Sequence, residues 1–339
     1  MAYSWDDLAA LSLARQFPKV AGRGAAAVAQ TVARIGPIQA QTARSPFLGL
    51  AARIPGVRLE DICAAYDELL IVRGSNIRGT VHTCTPPDHA LLEAATRIGQ
   101  RALWARMLKL KATTLEQVWE GMEDYARDDW RTPQELLVHL RRWLERHDPT
   151  ATPAIDTTAG RYLGFGHGGL LRKPLKGGWQ AQGAPGYRTA SVLLGDRSAV
   201  LADPHGALDA IVRRHLSAYG PASRHDIAWW SGLALRLVAA ALPPVAGPPT
   251  GPQGPDRPLS HHRLDAPATR PPASAPAALV ATSCPPRVPA WMRPGAGDAA
   301  SGGCPTTPSS AWPRMLDNRG LATSASANAV TSSRLRWIC

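Results

Sequence analysis

Tyr219-Gly220-Pro221-Ala222-Ser223-Arg224-His225-Asp226-Ile227-Ala228-Trp229-Trp230-Ser231-Gly232-Leu233 is the stretch that decides the architecture. Gly220-Pro221 is a turn, because proline fixes its own φ and glycine tolerates the bend. Ser223 followed by Asp226 is a capping box, in which hydroxyl and carboxylate each satisfy an orphan N–H at a helix start. The helix it opens runs through Trp229 and Trp230, and Ser231-Gly232 ends it. Upstream, Leu208, Ile211, Val212, Leu216 and Tyr219 recur at helical spacing and make the buried face of a preceding helix. Helix, turn and short helix predict a helix-turn-helix whose recognition helix starts near Ala234. That helix meets Pro243-Pro244 within a few residues, so the unit reads as incomplete.

The same grammar recurs toward the N-terminus. Ser4 and Asp7 cap a first helix before Leu8 and Leu11, and Val28, Val32 and Ile35 mark the face of a second. Another helix is predicted over 59–70. Two β-prone runs, 70–73 and 77–84, flank Gly74-Ser75-Asn76 and predict a hairpin, the form of a wing. Thr85-Pro86-Pro87-Asp88 and Thr132-Pro133-Gln134-Glu135 are helix starts with proline in the first turn. Leu115, Val118, Trp119 and Met122 form a core stripe between them. The fold class that follows is mainly α with β-hairpin wings, as tandem winged helix-turn-helix units. A first unit spans 1–84, a second with a long wing spans 85–195, and an incomplete third spans 196–238.

Composition changes near Val238. Residues 239–339 hold 18 of the 31 prolines, 9 Arg and 4 Asp, with no Lys or Glu. Such a stretch buries too little apolar surface to offset its ordering entropy, and disorder is expected. A GC-rich coding sequence read out of frame is a second account of the same composition. The net charge of +12 points to an anionic partner, nucleic acid before membrane surface. No signal peptide precedes the first helix and no apolar run is long enough to span a bilayer, so a cytoplasmic protein is expected. Five cysteines without paired spacing argue for reduced thiols.

From Thr157 to Gly195 the chain has no acid but carries Arg161, Arg172, Lys173, Lys176 and Arg188. An acid-free basic ribbon suits a phosphate backbone, although such runs also serve as solvated loops. Gly164, Gly166 and Gly169 match a dinucleotide fingerprint in letters only: no helix start follows, and the next acid is Asp196. No nucleotide cofactor is expected, and the histidines lack the spacing of metal ligands.

Gln39-Ala40-Gln41 stands out because it follows Ile35-Gly36-Pro37, which breaks the backbone, and sets two amides about one small residue. This run, with Ser45-Pro46-Phe47-Leu48-Gly49-Leu50-Ala51-Ala52-Arg53, resembles the winged-helix DNA glycosylases that act on alkylpurines and unhook crosslinks. Ile77-Arg78-Gly79-Thr80-Val81-His82 is similar to that family's RGTxH segment, and the 219–233 stretch to its third helix-turn-helix. The resemblance covers about residues 5–237 and ends after Leu237, where the third wing and a C-terminal β-rich domain have no counterpart.

The resemblance implies a concave basic scaffold that binds duplex DNA as a monomer, with Gln39 and Gln41 as the catalytic pair. Arg78 and His82 are candidates for phosphate contact or for support of the site. The implied reaction is hydrolysis of the N-glycosidic bond of an N7-alkylguanine, which the departure after Leu237 would compromise. A non-enzymatic winged-helix regulator and a non-functional gene product are the rival readings.

Overall fold

Five short strands drawn from residues 38 to 189 make one antiparallel sheet, ordered β1-β3-β2-β4-β5, in the computed structural model of the chain. The structure describes residues 4–157, 162, 163 and 165–242, all within a compact unit, 1–279. The strands are β1 (Ile38–Gln39), β2 (Val72–Ser75), β3 (Val81–Cys84), β4 (Leu170–Pro174) and β5 (Pro185–Thr189). The two ribbons read as separate wings meet edge to edge, where Gly74 of β2 pairs with Leu171 of β4.

The N-terminal segment supplies α1 (Trp5–Gln16), α2 (Gly24–Ile35), α3 (Ser45–Ala51) and α4 (Leu59–Asp67). Helix α4 stops short of the predicted 70 because Leu69 turns left-handed at φ 56. Next come α5 (Pro86–Leu108), α6 (Leu115–Tyr125) and α7 (Pro133–His147). After β5 follow α8 (Ala190–Leu194), α9 (Ser198–Ala202), α10 (Pro204–Tyr219), α11 (Arg224–Ser231) and α12 (Leu235–Ala241). The reciprocal capping bonds at Ser4–Asp7, Thr132–Glu135 and Ser223–Asp226 are all formed. Helix α12 continues past Val238 to Ala241, so order extends beyond the predicted break. The expectation of disorder for the tail otherwise lies outside the described residues, as do Arg161 and Gly164.

Strand alternation divides the core in two. Leu171, Val72 and Cys84 pack with Leu92 and Ala95 of α5 and with Leu208, Ile211, Val212 and Leu216 of α10. The adjacent Leu170 joins Val118, Trp119 and Met122 of α6 and Leu136 and Leu140 of α7. Each fully buried Leu, Ile, Val or Met among them contributes about 1.5–3 kcal/mol. Asp88 of α5 takes both arms of the Arg214 guanidinium, at 2.9 and 2.7 Å, and Arg214 also bonds the Ala33 carbonyl, tying α5, α10 and α2 together.

The first hairpin turns later than expected. Gly74 and Ser75 lie inside β2, and the turn falls on a 3-10 segment at Ile77–Gly79. Gly74 is glycine for another reason: a Cβ there would stand 2.6 Å from His89 Nε2 of α5. The residue permits close helix–strand approach rather than a bend. Among the described residues no helix is long and apolar enough to cross a membrane.

Candidate functional site

Gly36 and Pro37 swing the chain from α2 into β1. Gly36 has φ 84, and a Cβ there would lie 3.3 Å from the Tyr219 hydroxyl oxygen, so backbone conformation and space both favour glycine. Tyr219 donates to the Pro37 carbonyl at 3.4 Å, so α10 braces the entry to the strand.

Within β1, Gln39 stands directly opposite His82 of β3, which places their side chains on one face of the sheet. The Ala40 N–H extends the ladder by donating to the Val81 carbonyl at 2.7 Å, and its methyl is buried. The next rung is made by a side chain. Gln41 Oε1 accepts the Val81 N–H at 3.2 Å, standing in for a main-chain carbonyl where the strand has ended. Gln41 is otherwise exposed, and its amide oxygen keeps a second lone pair. Gln39 is half-buried, and among the described residues its amide has no hydrogen-bond partner. The pair is therefore asymmetric, one amide committed and one uncommitted.

His82 is 4% exposed, inside β3 and beside Gln39, a position suited to supporting the site. Its Nδ1 donates to the Thr80 carbonyl at 3.0 Å. Burial drives its pKa down to about 4, with the Arg78 charge adding to this and the Thr80 hydrogen bond opposing it. A neutral imidazole therefore sits beside Gln39 at neutral pH. Arg78 is exposed and left-handed, at φ 55. Its guanidinium lies 5.2 Å above the Trp229 ring and donates to the Trp229 carbonyl at 3.3 Å, bridging to α11.

The β4–β5 ribbon folds over the first segment instead of projecting freely. Trp179 stacks on Tyr66 at 4.4 Å and donates from Nε1 to Asp67 at 2.8 Å. Gln182 Oε1 accepts the Ala43 N–H at 3.0 Å, two residues beyond Gln41. Gln41, Arg172, Lys173 and Gln182 thereby line one narrow cleft, with Arg73 of β2. Lys173 also lies 4.4 Å from the Trp130 ring, Lys176 is exposed near the tip, and Arg188 donates to the Arg127 carbonyl at 3.2 Å. The structure thus gathers Gln41, Arg172 and Lys173, while Arg78 sits apart on Trp229. Sequence reading missed Tyr66, Arg73, Trp179 and Gln182, which lie too far apart along the chain for any pattern to link. The one local hint was a tryptophan in a Gly-rich ribbon. Among the described residues no group of three or more His, Cys, Asp or Glu is placed to hold a metal ion.

A family model described as DNA glycosylase AlkZ-like matches residues 32–283, a span that takes in both glutamines and every strand. The chain belongs to the AlkZ-like DNA glycosylase family. Among solved structures, the DNA glycosylase AlkZ of Streptomyces sahachiroi matches with a TM-score of 0.59 and 18% sequence identity. The match covers 71% of this chain and 65% of that one, so the chain spans just under two thirds of that structure's length. No curated protein matches the sequence. The AlkZ-like match runs to residue 283, beyond Leu237, where the resemblance was expected to end. Family character thus persists past the change in composition, which leaves few of the periodic apolar positions on which sequence reading relies.

Proposed function

We propose that this AlkZ-like chain is a monofunctional DNA glycosylase that hydrolyses the N-glycosidic bond of N-alkylated purines in duplex DNA, including N7-alkylguanine and crosslinked purines. The observation that carries this reading is the glutamine pair at the end of β1, with the Gln39 amide uncommitted and Gln41 anchored on Val81. Alkylation at N7 leaves the purine cationic. When the bond between C1′ and N9 breaks, its electron pair neutralises that cation, so the base needs no proton in order to leave. What remains is to stabilise an oxocarbenium-like sugar and aim a water at C1′, and the water's second proton passes to solvent. Amide oxygens are neutral acceptors suited to both tasks, and their preorganisation costs nothing at the moment of reaction.

Arg172, Lys173, Lys176 and Arg188, with Arg78, would supply cations to the phosphate backbone on a scaffold of tandem winged helices, the third incomplete. Binding would be as a monomer, without metal or nucleotide cofactor, on DNA in the cytoplasm. The test is single-turnover excision from a duplex holding one N7-methylguanine, comparing wild type with Gln39→Ala and Gln41→Ala. DNA binding without excision would replace this reading with a non-enzymatic winged-helix regulator.

A further inference from the structure

Arg73 is the least explained charge in the fold. It lies in β2 and is 5% exposed, yet the hydrogen-bond partners of its guanidinium are all neutral. It donates to the Trp179 carbonyl at 3.3 Å, the Ala43 carbonyl at 3.5 Å and the Tyr66 hydroxyl at 3.2 Å, with the Tyr66 and Trp179 rings at 5.1 and 5.7 Å. Its Nε is buried without a partner. No described carboxylate pairs with it. Elsewhere the fold does supply counter-ions: Arg197 has Glu93 and Arg214 has Asp88. Burying an ion is costly, and a guanidinium bonded only to neutral groups recovers less of that cost than one paired with a carboxylate.

The missing anion has a place to go. Arg73 lines the cleft that also holds Gln41, Arg172 and Lys173, and none of the cleft's lining residues is acidic. Antiparallel pairing of Gly74 with Leu171 sets Arg73 beside Arg172 on one face of the sheet, and two like charges side by side, one with its Nε unpartnered, fit an anion such as a phosphate group between them. We propose that Arg73 and Arg172 form a phosphate subsite beside Gln41, filled by a phosphodiester flanking the nucleotide under attack. This rests on the glycosylase reading for the identity of the strand, but the anion site itself stands on the buried, unpaired guanidinium. Holding that phosphodiester in the cleft keeps the attached sugar beside Gln41.

The experiment uses the full chain and lesion duplexes in which single phosphates are replaced by neutral methylphosphonates. Wild type is expected to lose about tenfold in affinity when one particular flanking phosphate is neutralised, the scale of one charge-assisted hydrogen bond. Arg73→Met should bind the unmodified duplex about tenfold more weakly, show no further loss at that phosphate, and melt no lower than wild type, since an apolar replacement relieves a buried charge. Should Arg73→Met not fold, Arg172→Ala must erase the same positional loss. If the folded variants keep both wild-type affinity and the positional loss, the proposal is overturned. Inorganic phosphate titrated against chloride at equal ionic strength separates the sources. An Arg73-dependent rise in melting temperature without positional loss keeps the anion site but assigns it to free phosphate. If neither effect is seen while the chain still excises alkylpurine, the subsite fails and the glycosylase reading stands. If Arg73-dependent binding is seen without excision, the reverse holds.

Discussion

The side-chain oxygen of Gln41 takes the place of a main-chain carbonyl opposite Val81, accepting its N–H at 3.2 Å. Val81 belongs to the strand that sets His82 opposite Gln39, so β3 positions both glutamines. The two amides of one motif thus meet different demands: Gln41 closes a ladder, and Gln39 has nothing to close.

That asymmetry separates their substitutions. Gln39→Ala should slow single-turnover excision by about 10²–10³-fold, the scale for loss of one preorganised group, while leaving duplex affinity and melting temperature near wild type. Gln41→Ala should slow excision similarly but also release the Val81 N–H, at a cost of about 1 kcal/mol in stability. Gln41→Glu keeps an acceptor for Val81 and should restore that stability without restoring the rate. Equal melting temperatures for Gln41→Ala and wild type would refute the ladder role.

Duplex binding should weaken steeply with salt, because neutralising phosphates releases counterions. Replacing Arg172, Lys173 and Lys176 together by Ala should reduce the log–log slope by about 2–3, near one for each phosphate left without its cation. An unchanged slope would show that the ribbon does not touch DNA. Arg78→Ala tests a separate patch, since its charge is held over Trp229 at 5.2 Å, away from the cleft.

The sequence made the helices legible and the sheet much less so. Capping boxes such as Ser223–Asp226 act within four residues, and the stripe Leu208 to Tyr219 repeats within one helix, so local pattern carries them. The pairing of Gly74 with Leu171 joins segments almost a hundred residues apart, and nothing local announces it. Gly74 itself was misleading: its missing Cβ makes room for His89, which a sequence cannot distinguish from a turn. At the site, Gln39 and Gln41 were visible as a motif. Arg73 was not, because its neighbours Ala43, Tyr66 and Trp179 converge only in the folded chain.

Acid should destabilise the fold well above the carboxylate range. Burial is the main cause that lowers His82 and His215 to about 4 and His89 to about 3, from an ordinary value of 6.5. Between those values the unfolded chain binds protons that the folded chain refuses, so stability is full above pH 6.5 and declines as pH falls toward 4. Three such groups give a slope of up to about 4 kcal/mol per pH unit. Urea unfolding at pH 7.5, 6.0 and 5.0 measures it. A flat free energy across that range would mean that the imidazoles protonate in place.

The approach to β4 rests on a buried ion network, and breaking it should cost both stability and DNA affinity. Glu93 of α5 is 0% exposed and takes Arg197 on one oxygen and Arg97, at 2.6 Å, on the other. Arg97 also reaches Glu123 at 2.8 Å. The loop leading into β4 packs on this cluster, for a Cβ on Gly168 would come within 2.9 Å of Glu93 Cγ. Glu93→Gln keeps the shape but strips the charge that Arg197, 6% exposed, relies on, and should destabilise by about 3–5 kcal/mol. Glu93→Leu with Arg197→Met removes both ions and should recover much of that stability, since an apolar pair has no charge to desolvate. If the double variant is as unstable as the single, packing rather than charge holds the loop. Because β4 carries Arg172 and Lys173, the single variant should also bind duplex DNA more weakly at temperatures where it remains folded, and the double variant should not.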